Sequence, residues 1–178
     1  DSVDPGVALV IKLEPLSTKH PQLEREASVY DSLADVPGIP KKHWCGVHGE
    51  YRALVIDRLG PSVEDLRRHC GGFSPETVLL LADKMIALIE AVHKKGVVHG
   101  DLQPDHFLMG LGQDGNSVNL VDFGCARCDR EPVTSAKEDL KVPCEDYCAS
   151  INSHNGEDLS RKDDLESLVY VLLNLYCG

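Results

Sequence analysis

Basic charge is scarce in this sequence. Lys and Arg number 18 against 29 Asp and Glu, a formal net charge of −11. Nucleic acid and anionic bilayers attract basic surfaces, so this balance argues against non-specific binding to either. The acid excess reads first as a solvated surface. Long apolar runs are also missing. The longest, near Leu165–Cys177, is broken by Asn174 and falls short of a membrane span. No basic-then-apolar leader opens the chain, which starts at Asp1 rather than Met, so a fragment or trimmed form is expected. An even cysteine complement is absent too. Seven cysteines with no disulfide framework point to a reducing, intracellular setting, cytoplasm and/or nucleus.

What is present amounts to one domain's worth of chain, 178 residues with an ordinary 42% apolar fraction. Its most informative stretch runs from His99 to Gly124. Phe107–Met109 and Val118–Val121 are short apolar runs. The segment between them is dense in turn formers and contains Asp114-Gly115. This pattern predicts a β-hairpin with its turn near Asp114. Folding about that centre sets His106 opposite Asp122 at the open end, with Asp101 in the loop leading into the same mouth. Paired carboxylates there suit a divalent metal carrying phosphate oxygens. A second pattern competes for attention. Cys125-x2-Cys128 and Cys144-x3-Cys148 lie 15 residues apart and approximate a zinc-ribbon spacing, with chance clustering of free thiols as the plainer reading.

The rest of the chain reads as scaffold. Val7–Leu13 is a β-rich apolar run expected as a buried strand around Lys12, which then needs an anionic partner unless it reaches solvent from a sheet edge. A helix is expected from about Pro21 to Ala34, with Leu23, Ala27, Tyr30, Leu33 and Ala34 as its apolar stripe and Glu26 at the stripe's edge. Trp44 and Gly46 fall in one short strand and Tyr51–Asp57 form another. Ser62-x-x-Asp65 caps a short helix ending near Gly71-Gly72. Ser74-Pro75-Glu76 starts a long one, closed by Lys94, Lys95 and Gly96. Ala126–Ser150 is polar and irregular. Ser160-x-x-Asp163 caps a last helix, expected to be largely buried through Leu165, Leu168, Val169, Leu172, Leu175 and Tyr176.

The run His99-Gly100-Asp101-Leu102-Gln103-Pro104, followed by Asp122-Phe123-Gly124, resembles the catalytic loop and metal-binding turn of protein kinases. Phe107–Gly110, Leu59–Leu66 and Arg161–Leu168 narrow the resemblance to the casein kinase I family, from about Val7 to the last residue. That resemblance implies an α+β, protein-kinase-like two-lobed fold, truncated at both ends, with the glycine-rich loop and C-terminal helices absent. It would form a single partial kinase domain over 1–178, with 1–56 in the small lobe and 57–178 in the large one.

The same resemblance assigns roles. Asp101 orients or accepts the proton of the attacking hydroxyl. Asp122 holds Mg²⁺ between phosphates, and Lys12 paired with Glu26 positions ATP. Ile56 lines the adenine pocket, where Asp57, Arg58 and Leu59 offer backbone hydrogen bonds. Asp164 braces the catalytic loop. Three positions depart from the pattern. Gly100 replaces an arginine, Gln103 a lysine facing the γ-phosphate, and His106 an asparagine at the second metal position. Imidazole suits Mn²⁺ or Zn²⁺ better than Mg²⁺.

The implied activity is transfer of the ATP γ-phosphate to protein Ser/Thr hydroxyls, impaired by these departures. The protein substrate would be acidic or phosphorylated, although Glu145, Asp146 and Tyr147 and the shortage of basic clusters oppose that preference. The alternatives are a pseudokinase that binds partners without turnover and a zinc-stabilised binding module using Cys125, Cys128, Cys144 and Cys148. The sequence does not specify an oligomeric state.

Overall fold

The computed structural model describes residues 8–128 and 147–177. It is a mixed α/β structure with small sheets. Strands β1 (Leu9–Pro15), β2 (Lys42–His48) and β3 (Tyr51–Asp57) form an antiparallel sheet in the order β1-β3-β2. Helix α1 (Leu23–Ser32) crosses between β1 and β2 and packs on the sheet. Beyond β3 come α2 (Val63–Cys70), α3 (Pro75–Lys94) and the two-residue strand β4 (Val97–Val98). The hairpin β5 (Phe107–Met109) and β6 (Val118–Leu120) follows. After it lie β7 (Arg127–Cys128), which pairs with β4, then α4 (Ile151–His154) and α5 (Arg161–Cys177).

Local chemistry sets the boundaries. The Ser62 hydroxyl accepts from the Asp65 amide at 3.0 Å and the Asp65 carboxylate accepts from the Ser62 amide at 3.1 Å, a reciprocal cap that starts α2. The helix stops where Gly71 turns left-handed at φ +72°. Ser74 caps α3 with Pro75 in its first turn. Its buried face, Val78, Leu81, Met85, Ile89 and Val92, packs against Leu168, Val171 and Leu175 of α5 in one core. The hairpin is anchored at its open end. Phe107 and Leu120 are cross-strand partners and both are fully buried. Burying such side chains contributes about 1.5–3 kcal/mol each. The end that carries His106 and Asp122 is therefore the fixed end, and the turn around Gly112–Asp114 is the exposed one.

Three expectations about burial are corrected. β1 is not a buried strand. Ile11 and Leu13, on the opposite sheet face from Lys12, stand 60% and 57% exposed. On α1, Glu26 lies inside the buried stripe with Leu23, Ala27 and Tyr30 rather than at its edge, whereas Ala34 is exposed. α5 is buried on one face only. Leu165, Val169 and Tyr176 point to solvent because α3 covers a single side of the helix. No helix among the described residues is long and apolar enough to cross a membrane.

Candidate active site

The hairpin delivers what its symmetry predicts. His106 sits immediately before β5 and Asp122 two residues after β6, with the His106 Nε2 and Asp122 Oδ2 atoms 3.7 Å apart. The Val121 amide donates to the His106 carbonyl at 3.1 Å and holds the two chains together at this point. Asp101 is in the same mouth. Its carbonyl accepts from His106 Nδ1 at 2.8 Å, and its carboxylate lies 3.8 Å from the same nitrogen. A proton on Nδ1 leaves Nε2 with a lone pair. That lone pair accepts from Gln103 Nε2 at 3.1 Å, while the same amide nitrogen is 3.4 Å from Asp101 Oδ2. Gln103 thus spans Asp101 and His106.

The first sheet supplies the cation. Lys12 points away from the open side of β1, and its Nζ lies 2.8 Å from Glu26 Oε2 and 2.8 Å from Asp122 Oδ1. Its ammonium therefore ties β1, α1 and the segment after β6 to one point. Burial alone would depress the Lys12 pKa, but the Glu26 and Asp122 carboxylates outweigh it and hold the ammonium above its ordinary value. Burial pushes the Glu26 carboxyl up, and Lys12 offsets this only in part. Burial acts on Asp122 in the same sense, yet the hydrogen bond and charge of Lys12, with His106 beside it, hold its carboxyl below the usual range. Asp122 therefore carries the firm negative charge of the site. Its side chain is still 41% exposed; Oδ1 is bound to Lys12 and Oδ2 lies 3.7 Å from His106 Nε2.

The backbone around Asp122 is held by α1. Asp122 adopts φ +65°, the left-handed region that Asp tolerates better than most residues, and its carboxylate accepts from the Gly124 amide at 3.4 Å. The Tyr30 hydroxyl accepts from the Asp122 amide at 3.4 Å, and the Tyr30 ring meets Phe123 edge-on at 5.2 Å. Arg25 donates to the Gly124 carbonyl at 2.8 Å. A Cβ on Gly124 would lie 3.1 Å from the Gln22 side-chain oxygen and 3.3 Å from Asp122 Oδ1. Sequence reading missed Gln22, Arg25 and Tyr30. The available signal was spacing, since Gln22 and Tyr30 lie four residues either side of Glu26 and share its helix face.

The loop before the hairpin is braced from α5, as expected for Asp164. Its carboxylate accepts from the His99 amide at 2.8 Å through Oδ2 and from the Gly100 amide at 2.8 Å through Oδ1. Gly100 has φ +78°, and a Cβ there would sit 3.1 Å from the Cys125 carbonyl. Glycine at this position is thus a requirement of this backbone. His99 is fully buried; burial pushes its pKa down and Asp164 offsets this only in part. A neutral ring fits its contacts, with Nε2 donating to the Val121 carbonyl at 3.1 Å and Nδ1 accepting from the Asp101 amide at 3.3 Å.

At the end of β3, Ile56 is half-buried. The Asp57 and Arg58 amides donate to Lys41 O at 3.0 Å and Ala8 O at 3.2 Å, so a base docking beside Leu59 would not meet those two N–H groups. The Asp57 carboxylate accepts from the Lys41 amide at 2.9 Å and contacts His43 Nε2 at 2.6 Å, which locks the strand end.

The four-cysteine zinc expectation includes a residue outside the described part of the chain. Cys148 is fully buried, Cys125 half-buried and Cys128 exposed, and Cys144 lies outside the described residues, as do Glu145 and Asp146. Among the described residues no three His, Cys, Asp or Glu side chains converge to hold a metal by themselves. Asp122 Oδ2 and His106 Nε2, 3.7 Å apart, would offer a cation one carboxylate oxygen and, once Gln103 gave up its hydrogen bond, one ring nitrogen, with the other ligands coming from a substrate. That donor set fits a cation shared with phosphate oxygens.

A comparison with known protein families matches residues 30–142, more than half of the chain, to the lipopolysaccharide kinase (Kdo/WaaP) family. This overturns the assignment to casein kinase I and, with it, the protein Ser/Thr acceptor and the acidic or phosphorylated protein partner, and it supports neither the pseudokinase nor the zinc-module reading. The reason is chemical. His-x-Asp and Asp-Phe-Gly are dictated by moving a phosphoryl group to a hydroxyl, and they do not encode what bears that hydroxyl. The block Arg161–Leu168, which helped to carry the narrower resemblance, lies outside the matched residues.

Proposed function

This chain belongs to the lipopolysaccharide kinase (Kdo/WaaP) family, and from that premise we propose that its site transfers the terminal phosphoryl group of ATP to a saccharide hydroxyl of a lipopolysaccharide-type acceptor. Kinase chemistry, ATP and a divalent cation go with that family. The observation that carries the reading is the position of Lys12 Nζ, 2.8 Å from both Glu26 and Asp122, opposite the Asp101–Gln103–His106 group.

ATP supplies the transferable group and the divalent cation offsets its charge when both are bound. The remaining work belongs to the chain's own residues. Lys12 offers a fixed ammonium to phosphate oxygens, with Glu26 preventing it from turning away. Asp122 presents Oδ2, the oxygen that Lys12 does not hold, as a hard ligand. His106, with its proton on Nδ1, would present its Nε2 electron pair beside it on release from Gln103. Asp101 accepts the proton of the attacking hydroxyl, and Gln103 aims its amide N–H at the space between Asp101 and His106. Ile56 and Leu59 border the nucleotide base. In this reading the sheet β1-β3-β2 with α1, residues up to 56, forms the small lobe of a two-lobed kinase-type fold, and residues from 57 onward form the larger one.

The test is phosphate transfer from labelled ATP to purified lipopolysaccharide, beside the Asp101→Asn variant. The expected result is phosphate on the saccharide, with a rate on the order of 10²–10⁴ lower in the variant. Equal labelling by the two proteins would remove the proposal.

A further inference from the structure

Helix α1 brings Glu26 to Lys12, yet the start of that helix is not capped by its own residue. Gln22, at the cap position, makes no side-chain capping bond, whereas α2, α3 and α4 each begin on a serine that does. Residues 15–21 are exposed apart from Thr18, so the connection does little to fix where the helix begins. The acceptor comes from the neighbouring strand. Glu14 Oε1 accepts from the Gln22 amide at 2.7 Å and from the Leu23 amide at 3.2 Å. The Glu14 side chain is 14% exposed, and its Oε2 lies 4.0 Å from Arg52 Nη1 on β3, while Arg52 Nη2 holds Glu24 of α1 at 2.9 Å.

We infer that Glu14 is a positioning residue that sets the register of α1 against β1 and so holds Glu26 against Lys12. Glu14 stands two residues after Lys12 and shares its face of β1. Gln22 stands four residues before Glu26, about one turn of α1. Strand and helix run in opposite senses here, and β1 grips α1 at two successive turns, by a carboxylate at the helix start and by an ammonium one turn on. Two residues of strand advance about 6.6 Å and one helical turn about 5.4 Å, so the two grips are nearly in step. Without Glu14 the first amides of α1 lose their acceptor, and the positive end of the helix loses the negative charge that favours it. The first turn then frays, the helix is free to shift along β1, and Lys12 loses the carboxylate that keeps it in place.

The catalytic consequence rests on the kinase reading, so two arms of the experiment do without it. Glu14→Gln keeps an oxygen that accepts both amides, and Glu14→Leu removes it. In the full chain, amide exchange at Gln22 and Leu23 should quicken on the order of tenfold with Leu, relative to the buried amides of α3, and stay near the parent with Gln. Lys12→Met is then made in both backgrounds. With Leu at position 14, it should lower the urea midpoint by about half as much as in the parent, or less, because the ion pair is already loosened. In the transfer assay, Leu should raise the KM for ATP on the order of tenfold, and Gln should restore most of it. A protein that is merely less stable would lose active fraction, and hence kcat, at an unchanged KM.

Should Leu prevent folding, Glu14→Asp takes its place with the same expectations, since it withdraws the carboxylate by one methylene. Equal costs of Lys12→Met in the two backgrounds would show that the two grips act separately and would overturn the inference. So would a Gln variant indistinguishable from Leu. If the parent protein transfers no phosphate, the function proposal fails, and amide exchange with the urea midpoints decides on Glu14.

Discussion

A single ammonium holds the two halves of the site together. Lys12 contacts both Glu26, which is 2% exposed, and Asp122, which is not buried so deeply. Replacing Lys12 by Met would leave the Glu26 carboxyl buried without its cation. Burial already pushes that carboxyl up, so loss of Lys12 drives it toward the protonated form. The expected cost is about 1–3 kcal/mol, short of the figure for a wholly buried pair because Lys12 itself reaches solvent. Lys12→Met combined with Glu26→Gln should regain most of that stability, since both partners are then neutral, and should regain no phosphate transfer. Urea unfolding midpoints at constant slope measure the first effect and labelled ATP the second; a double variant as unstable as the single one would show that Glu26 does not need the cation.

Much at this scale was legible. Hairpin symmetry alone brought His106, Asp122 and Asp101 together. The Lys12–Glu26 contact joins a strand to a helix across a turn, obeys no period, and was supplied only by resemblance to other kinases. Tyr30 read as a core ring, and nothing in its spacing shows that its hydroxyl receives the Asp122 amide.

Helix starts were equally legible, because caps are local chemistry. Ser62 with Asp65, Ser74 with Pro75, and Ser160 with Asp163 each stand where a helix begins. The exposure of β1 and α5 was not. Periodicity shows that a segment has an apolar face, but the number of layers covering it depends on the whole packing. Asp163 illustrates how much one cap can carry. Its Oδ2 accepts from the Ser160 amide at 2.7 Å and hydroxyl at 2.9 Å, and its Oδ1 from the Ser150 hydroxyl at 3.1 Å, which ties the start of α5 to the start of α4. Burial would push this carboxyl up, but the three donors outweigh it and hold the carboxyl below its ordinary value. A folded pKa below the unfolded value of about 3.9 makes the contribution complete above that value and lost as pH falls through the folded one. Asp163→Asn should therefore cost about 1–2 kcal/mol near neutral pH and progressively less toward pH 2, so that the two stability curves converge in acid. Urea midpoints taken every half unit would test this, and parallel curves would show that the cap does not titrate with folding.

On the scale of the whole molecule, the acceptor is what the sequence could not convey. The residues that move a phosphoryl group are the same whether the hydroxyl belongs to a protein or a sugar, and a fold does not by itself name its substrate. The same architecture does make a physical demand that is independent of the acceptor. Lys12 belongs to the sheet with α1, and Asp122 belongs to the hairpin packed on α3. They meet through a few contacts, chiefly Lys12–Asp122, Arg25–Gly124 and Tyr30–Phe123. A nucleotide that engages both Lys12 and Asp122 adds to that junction and binds the folded state alone. At a hundred times its dissociation constant it would stabilise folding by about 2.7 kcal/mol. For a chain of this size each kcal/mol moves the midpoint by about 2–4 °C, so ATP with Mg²⁺ or Mn²⁺ should raise Tm by about 5–10 °C. Asp122→Asn should lose most of the rise, because the cation loses its carboxylate and Lys12 loses the partner that turns it toward the hairpin. An undiminished shift in that variant would mean that the nucleotide binds away from this junction, and Lys12, Asp101 and Asp122 would then have to be reassigned together.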